Sequence, residues 1–164
     1  MASYEELIQA QAGWRYEPSE QLLAGKNIVV TGAGDGIGAA FAKTAACYGA
    51  NVILLGRTRE KLEVVFDWIE KATETQPVIV PCDLEHLDAD NVVALAHNIK
   101  HTYGVPHGIV HSASLLGAKT AIAHYPIAEW QRVMQVNANA PFILTQGLFD
   151  LLDNSKDAKV LFIS

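Results

Sequence analysis

At 164 residues, half of them hydrophobic, the chain has the size and apolar content of one globular domain. Its net charge of −6 speaks against a nucleic-acid surface, which needs clustered Lys and Arg, and no apolar run reaches the roughly 20 residues that span a bilayer. The acidic, mixed N-terminal residues are no secretory signal, and Cys47 and Cys82 form no CxxC pair, so two reduced, partly buried thiols and a cytoplasmic location are expected.

In chain order, residues 1–26 read as a polar leader. Tyr4, Leu7 and Ile8 share a helical face in it, and Pro18 interrupts it. Strand and helix patterns then alternate over residues 27–164, which we take as one domain. Asn27–Thr31 predicts a strand, Gly36–Tyr48 a helix, Asn51–Leu55 a second strand and Arg59–Thr73 a second helix. Pro77–Pro81 reads as a third strand. Asp88–Tyr103 reads as a helix, with Val92, Leu95, Ala96 and Ile99 on one face. Gly108–Ala113 is a fourth strand, Ile127–Leu152 one long helix, and Lys159–Ile163 the start of a fifth strand. Continuous apolar strands between amphipathic helices imply an α/β fold, a doubly wound parallel sheet. Right-handed crossovers, with a glycine-rich turn after the first strand, predict the order 3-2-1-4-5.

That turn is Thr31-Gly32-Ala33-Gly34-Asp35-Gly36-Ile37-Gly38. Strand, glycine turn and helix start together make a cradle for a phosphate. The glycines allow a tight backbone approach, and the first helical turn offers unpaired N–H groups at the positive end of its dipole. The spacing of Gly32, Gly36 and Gly38 fits Thr-Gly-x-x-x-Gly-x-Gly. With it the chain resembles the short-chain dehydrogenase/reductase family, from Lys26 to the last residue. The resemblance implies a Rossmann-type domain whose loop residues Gly32, Gly34, Asp35, Gly36, Ile37 and Gly38 bind a nicotinamide dinucleotide. Strands beyond the fifth are absent from the sequence.

Further positions extend the likeness. The second strand ends Leu54-Leu55-Gly56-Arg57, where such folds carry an acidic residue if they bind a free ribose 2′-hydroxyl. Here Arg57 can meet a 2′-phosphate instead, which favours NADP(H) over NAD(H). Arg57 and Arg59 also fit the solvated first turn of a helix. Asp83-Leu84 follows the third strand. The resemblance implies that Asp83 binds the adenine amino group and that Leu84 packs beside it, while Asp83 is also suited to cap a helix. His111-Ser112-Ala113-Ser114 stands where the family has Asn-Asn-Ala-Gly, so only Ala113 matches. Ser112 replaces an amide that ties strands together, and Ser114 replaces a glycine beside the nicotinamide ribose.

Met134-Gln135-Val136-Asn137 resembles the family helix that carries a catalytic Asn. Pro141 has no N–H for the Asn137 carbonyl four residues back, so a kink and a free carbonyl are expected. In the resembling family that carbonyl holds a water in a proton relay; an ordinary proline kink would leave the same trace. The family's Tyr-x-x-x-Lys pair is missing. Four residues after Tyr4, Tyr16, Tyr48, Tyr103 and Tyr125 stand Ile8, Glu20, Val52, His107 and Glu129. Ser164 lies at or beside the family's catalytic serine.

The resemblance implies hydride transfer between NADPH and a small carbonyl or alcohol substrate, with no nucleic-acid or membrane partner. This chain itself is expected to be inactive. The alternative is a non-catalytic NADP-binding or regulatory module acting through a protein partner. A chain closing on the apolar run Val160–Ile163 reads as a piece of a protein of roughly 250 residues. The long helix from Ile127, with Trp130, Val133, Met134, Ile143, Leu144 and Leu148, is expected to mediate homo-oligomerisation. His97 and His101 are four residues apart on a helix, but no carboxylate or cysteine joins them at ligand spacing, so no metal site is assigned.

Overall fold

Why the strands pair as they do follows from alternation. The computed structural model describes residues 18–155 and 157–163; the segment bearing Tyr4, Leu7 and Ile8 lies outside them, as does Ser164. Strands β1 (Asn27–Thr31), β2 (Asn51–Gly56), β3 (Val78–Pro81), β4 (Gly108–His111) and β5 (Lys159–Phe162) form a parallel sheet in the order β3-β2-β1-β4-β5, as the sequence predicts. In the centre Val30 lies beside Leu54 and Val110, and all three are buried. Alternate residues serve opposite faces, so each central strand is apolar throughout.

Helices α1 (Gly36–Cys47) and α2 (Arg59–Ala72) cover one face. Their Ala42, Ala45, Ala46, Leu62, Val65 and Ile69 pack on Val30, Val52, Leu54 and Val110. On the other face lie α3 (Ala89–Tyr103), α4 (Ile127–Met134), α5 (Ala140–Gly147) and α6 (Phe149–Asp153). Val92, Ile99, Leu144 and Leu148 meet Val29, Ile53, Leu55 and Ile109 there. No helix among the described residues is long and apolar enough to cross a membrane.

The expected single helix over residues 127–152 is broken twice. Gln135–Asn139 is a π-helical stretch in which the Ala140 N–H reaches back five residues to the Gln135 carbonyl. Pro141 explains the slip: with no N–H to continue the four-residue ladder, the backbone takes up one extra residue instead of kinking openly. The second break falls at Leu148, between α5 and α6. Leu144 and Leu148, expected on an oligomer face, are fully buried against the sheet; Phe142 and Phe149 are exposed instead. Asp88 is not helical but caps α3, accepting from Asp90 and Asn91 N–H groups, and Asn91 returns a bond to the Asp88 N–H. Cys47, expected to be partly buried, is exposed at the end of α1.

Gly147 sets how closely α5 approaches α3. A β-carbon there would stand 2.5 Å from Val92 Cγ2 and 2.9 Å from Cγ1. Gly147→Ala is expected to lower stability by about 1–3 kcal/mol, measured by denaturant unfolding, and Val92→Ala in the same chain should recover most of the loss. Additive losses from the two changes would contradict this packing.

Candidate functional site

The carboxyl ends of β1 to β4 open onto one cleft of about 720 Å³, at the point where the chain order reverses between β1 and β4. Gly32, Asp35, Gly36 and Ile37 line it from the first loop, and Arg57 from the end of β2. Asp83 and Leu84 contribute after β3; Ser112, Ala113 and Ser114 after β4; and Asn137 from the π segment. Gly34 and Gly38 do not line it. A β-carbon on Gly34 would lie 2.9 Å from Lys61 Cβ on α2, and one on Gly38 would strike the Gly32 carbonyl oxygen. These two glycines let helices close on the loop.

Gly32 sits at a φ of 65°, and a β-carbon on it would be 2.8 Å from the Ala113 Cα. The loops after β1 and β4 therefore touch backbone to backbone. Thr31, buried at the end of β1, reinforces the contact: its hydroxyl oxygen accepts from the Ser112 N–H at 3.1 Å and the Ala113 N–H at 3.2 Å. Thr31 opens the glycine pattern in the sequence, but its part in this tie is not legible there, because the partner N–H groups lie 81 and 82 residues away. The strand tie is made by this hydroxyl and two main-chain donors, so it does not need an amide side chain at Ser112.

Gly36 begins α1 at a φ of 52° with open space where a β-carbon would be. Its N–H is taken by Asp35 Oδ1 at 2.8 Å. Ile37 and Gly38 N–H groups have no partner within the helix, which leaves donors at its positive end. Asp35 is itself acidic, but Lys61 Nζ lies 2.6 Å from its Oδ2. That hydrogen bond, followed by the one from Gly36, holds the carboxyl below its usual pKa.

Burial raises the Asp83 pKa, but the Glu85 N–H at 3.1 Å, then His86 and Arg57, outweigh it and hold the carboxyl below its ordinary value. Asp83 thus caps the 3-10 turn Leu84–His86 while still facing the cleft. Arg57, with a side chain 58% exposed, lies 3.8 Å from Glu85 Oε2. Neighbouring Cys82 is pushed up by burial and then by Asp83, so its thiol stays protonated.

The π segment reaches two loops at once. Asn137 Oδ1 accepts from the Leu115 N–H at 2.8 Å, and its Nδ2 donates to the Leu115 carbonyl at 2.9 Å. Gln135 Nε2 donates to the Leu87 carbonyl at 3.0 Å. Gln135 was not legible as a site residue, because a π turn sets its direction.

Behind the cleft, His111 is buried, with Nε2 2.8 Å from Thr145 Oγ1 and its ring stacked on Phe162. Its Nδ1 has no hydrogen-bond partner among the described residues. His97 and His101 rings stack at 6.3 Å on α3.

A doubly wound sheet with a glycine loop at its switch point is the Rossmann-type arrangement. The chain belongs to the short chain dehydrogenase family, whose model matches residues 26–164. It is 44% identical over 149 residues to the uncharacterised oxidoreductase YciK of Escherichia coli K12, covering 91% of this chain and 59% of that protein. The solved structure of E. coli YciK superposes with a TM-score of 0.86 at 43% identity, over 91% of this chain and 61% of the other. A short chain dehydrogenase from Shigella flexneri 2a, solved in complex with NADP, superposes with a TM-score of 0.85 at 42% identity, over 88% and 60%. The chain thus spans about three fifths of the length of these relatives.

Burial lowers the His111 pKa to about 4. Between pH 6.5 and 4 the unfolded chain binds a proton there that the folded chain refuses. Stability should therefore fall as pH drops through that window, by up to about 1.4 kcal/mol per pH unit. His107, lowered by burial and then by Lys26, adds in the same direction. His111→Asn should flatten most of this slope in unfolding measured at several pH values; parallel profiles would refute the assignment.

Proposed function

We propose that the cleft binds NADP(H) and that the whole protein transfers hydride between NADPH and a carbonyl or alcohol. The observation that carries the cofactor choice is Arg57, an exposed guanidinium at the β2 end where an NAD-binding fold places an acid. The NADP complex of the Shigella relative supports the same reading. On this reading the diphosphate lies against Gly32, Asp35, Gly36 and Ile37 and the N–H groups that start α1. The open space at Gly36 gives a phosphate room that a β-carbon would take. Asp83 and Leu84 bind the adenine, and Ser112, Ala113 and Ser114 border the nicotinamide ribose. The bound cofactor supplies or accepts the hydride.

Asn137 is the catalytic residue we assign within this chain. Its side chain is spent on Leu115, so its contribution is the main-chain carbonyl, for which Pro141 offers no N–H. A water held there would pass protons to a general acid. The family's Tyr and Lys do not occur among these 164 residues.

Ile127, Trp130, Met134, Phe142 and Phe149 leave an apolar face on α4, α5 and α6, which we assign to homo-oligomerisation. A full-length protein that sediments as a monomer at every concentration would refute that assignment.

Fluorescence titration tests the cofactor reading. NADPH should bind the full-length protein more tightly than NADH. Arg57→Ala should weaken NADPH about tenfold or more, the worth of a charge-assisted hydrogen bond, and barely change NADH. Equal losses for both cofactors would overturn the role of Arg57. The 164-residue chain alone should show negligible turnover, and robust cofactor-dependent reduction by it would contradict the need for the missing pair.

A further inference from the structure

Glu85 follows Asp83-Leu84 in the short turn after β3 and lines the cleft. Its Oε2 is shared by two guanidinium groups from different elements. Arg132 of α4 approaches through Nε at 2.8 Å, whereas Arg57 approaches only to 3.8 Å. The first is a close ion pair; the second is a looser one, beyond hydrogen-bond reach. Glu129, one turn earlier on α4, touches Arg132 at 3.6 Å and keeps that guanidinium over Glu85. The contact with Glu85 is also the main reason the Arg132 pKa is raised.

We propose that Arg132 is a specificity-determining residue: by holding Glu85, it leaves Arg57 available to a 2′-phosphate. The inference rests on the NADP(H) reading above. A carboxylate beside Arg57 would act against NADP(H) in two ways. It competes with the phosphate for the same guanidinium, and it repels the phosphate directly. Arg132 removes both effects by engaging the carboxylate from the opposite side. Without Arg132, Arg57 is the remaining cation within 4.0 Å of Glu85 among the described residues. NADH carries a hydroxyl in place of the phosphate and is indifferent to this competition. Arg132 touches no cofactor in this scheme; it acts through Glu85 and Arg57.

The test compares NADPH and NADH dissociation constants of the full-length protein with those of Arg132→Gln, Glu85→Gln and the double variant. Arg132→Gln should raise the NADPH Kd about fivefold, the upper range for an exposed ion pair, and change NADH by less than about twofold. The NADPH penalty should shrink as salt is added. The double variant should bind NADPH as well as the wild type or better, because the competitor is gone, and Glu85→Gln alone should not weaken NADPH. Equal losses for both cofactors, a double variant as weak as Arg132→Gln, or weakening by Glu85→Gln would each overturn the proposal. Should Arg132→Gln fail to fold, the Glu85→Gln result still decides. A wild-type protein with no preference for NADPH would instead refute the underlying cofactor reading, and this inference with it.

Discussion

The loop after β1 and the loop after β4 meet main chain to main chain, with no room for a side chain on Gly32. The Thr31 hydroxyl holds that junction by accepting from two successive N–H groups of the opposite loop. Without it, both part-buried donors would lose their Thr31 acceptor, and a typical hydrogen bond is worth about 0.5–1.5 kcal/mol net. The junction fixes the distance between the start of α1 and residues 112–114. These are the two walls of the cleft proposed to hold the dinucleotide. The rest of the cleft is arranged around that fixed width.

The π segment supports the opposite rim. One extra residue per turn points Gln135 towards the 84–87 turn and Asn137 towards Leu115, so a single backbone irregularity steadies two cleft loops. Proline supplies the cause at the level of sequence. The same residue that denies Asn137 its ladder partner forces the register slip that aims its side chain. Structure and the proposed chemistry of Asn137 therefore have one origin.

Charge is managed locally. Two acids lining the cleft, Asp35 and Glu85, are each engaged by a cation from a neighbouring helix, Lys61 and Arg132. Among the described residues, Arg57 forms one ion pair, its long contact to Glu85. For an anionic ligand, this pairing matters more than the net charge of the chain, because screening confines each effect to about 10 Å.

The sequence by itself determined the sheet order, the loop that begins α1, the basic residue after β2 and the absence of a Tyr-x-x-x-Lys pair. These are local matters, set by apolar alternation, glycine spacing and residue identity. Asn137 was legible too, through Pro141 four residues on. Only the tertiary structure decided that Gly34 and Gly38 pack helices, not line the cleft, and that Thr31 and Gln135 brace it. It also decided that Leu144 and Leu148 face the sheet while Phe142 and Phe149 face out. The physical reason is common to all of these. Each depends on which segments, distant in the chain, come within bonding distance, and a one-residue slip in helical register redirects every side chain that follows it.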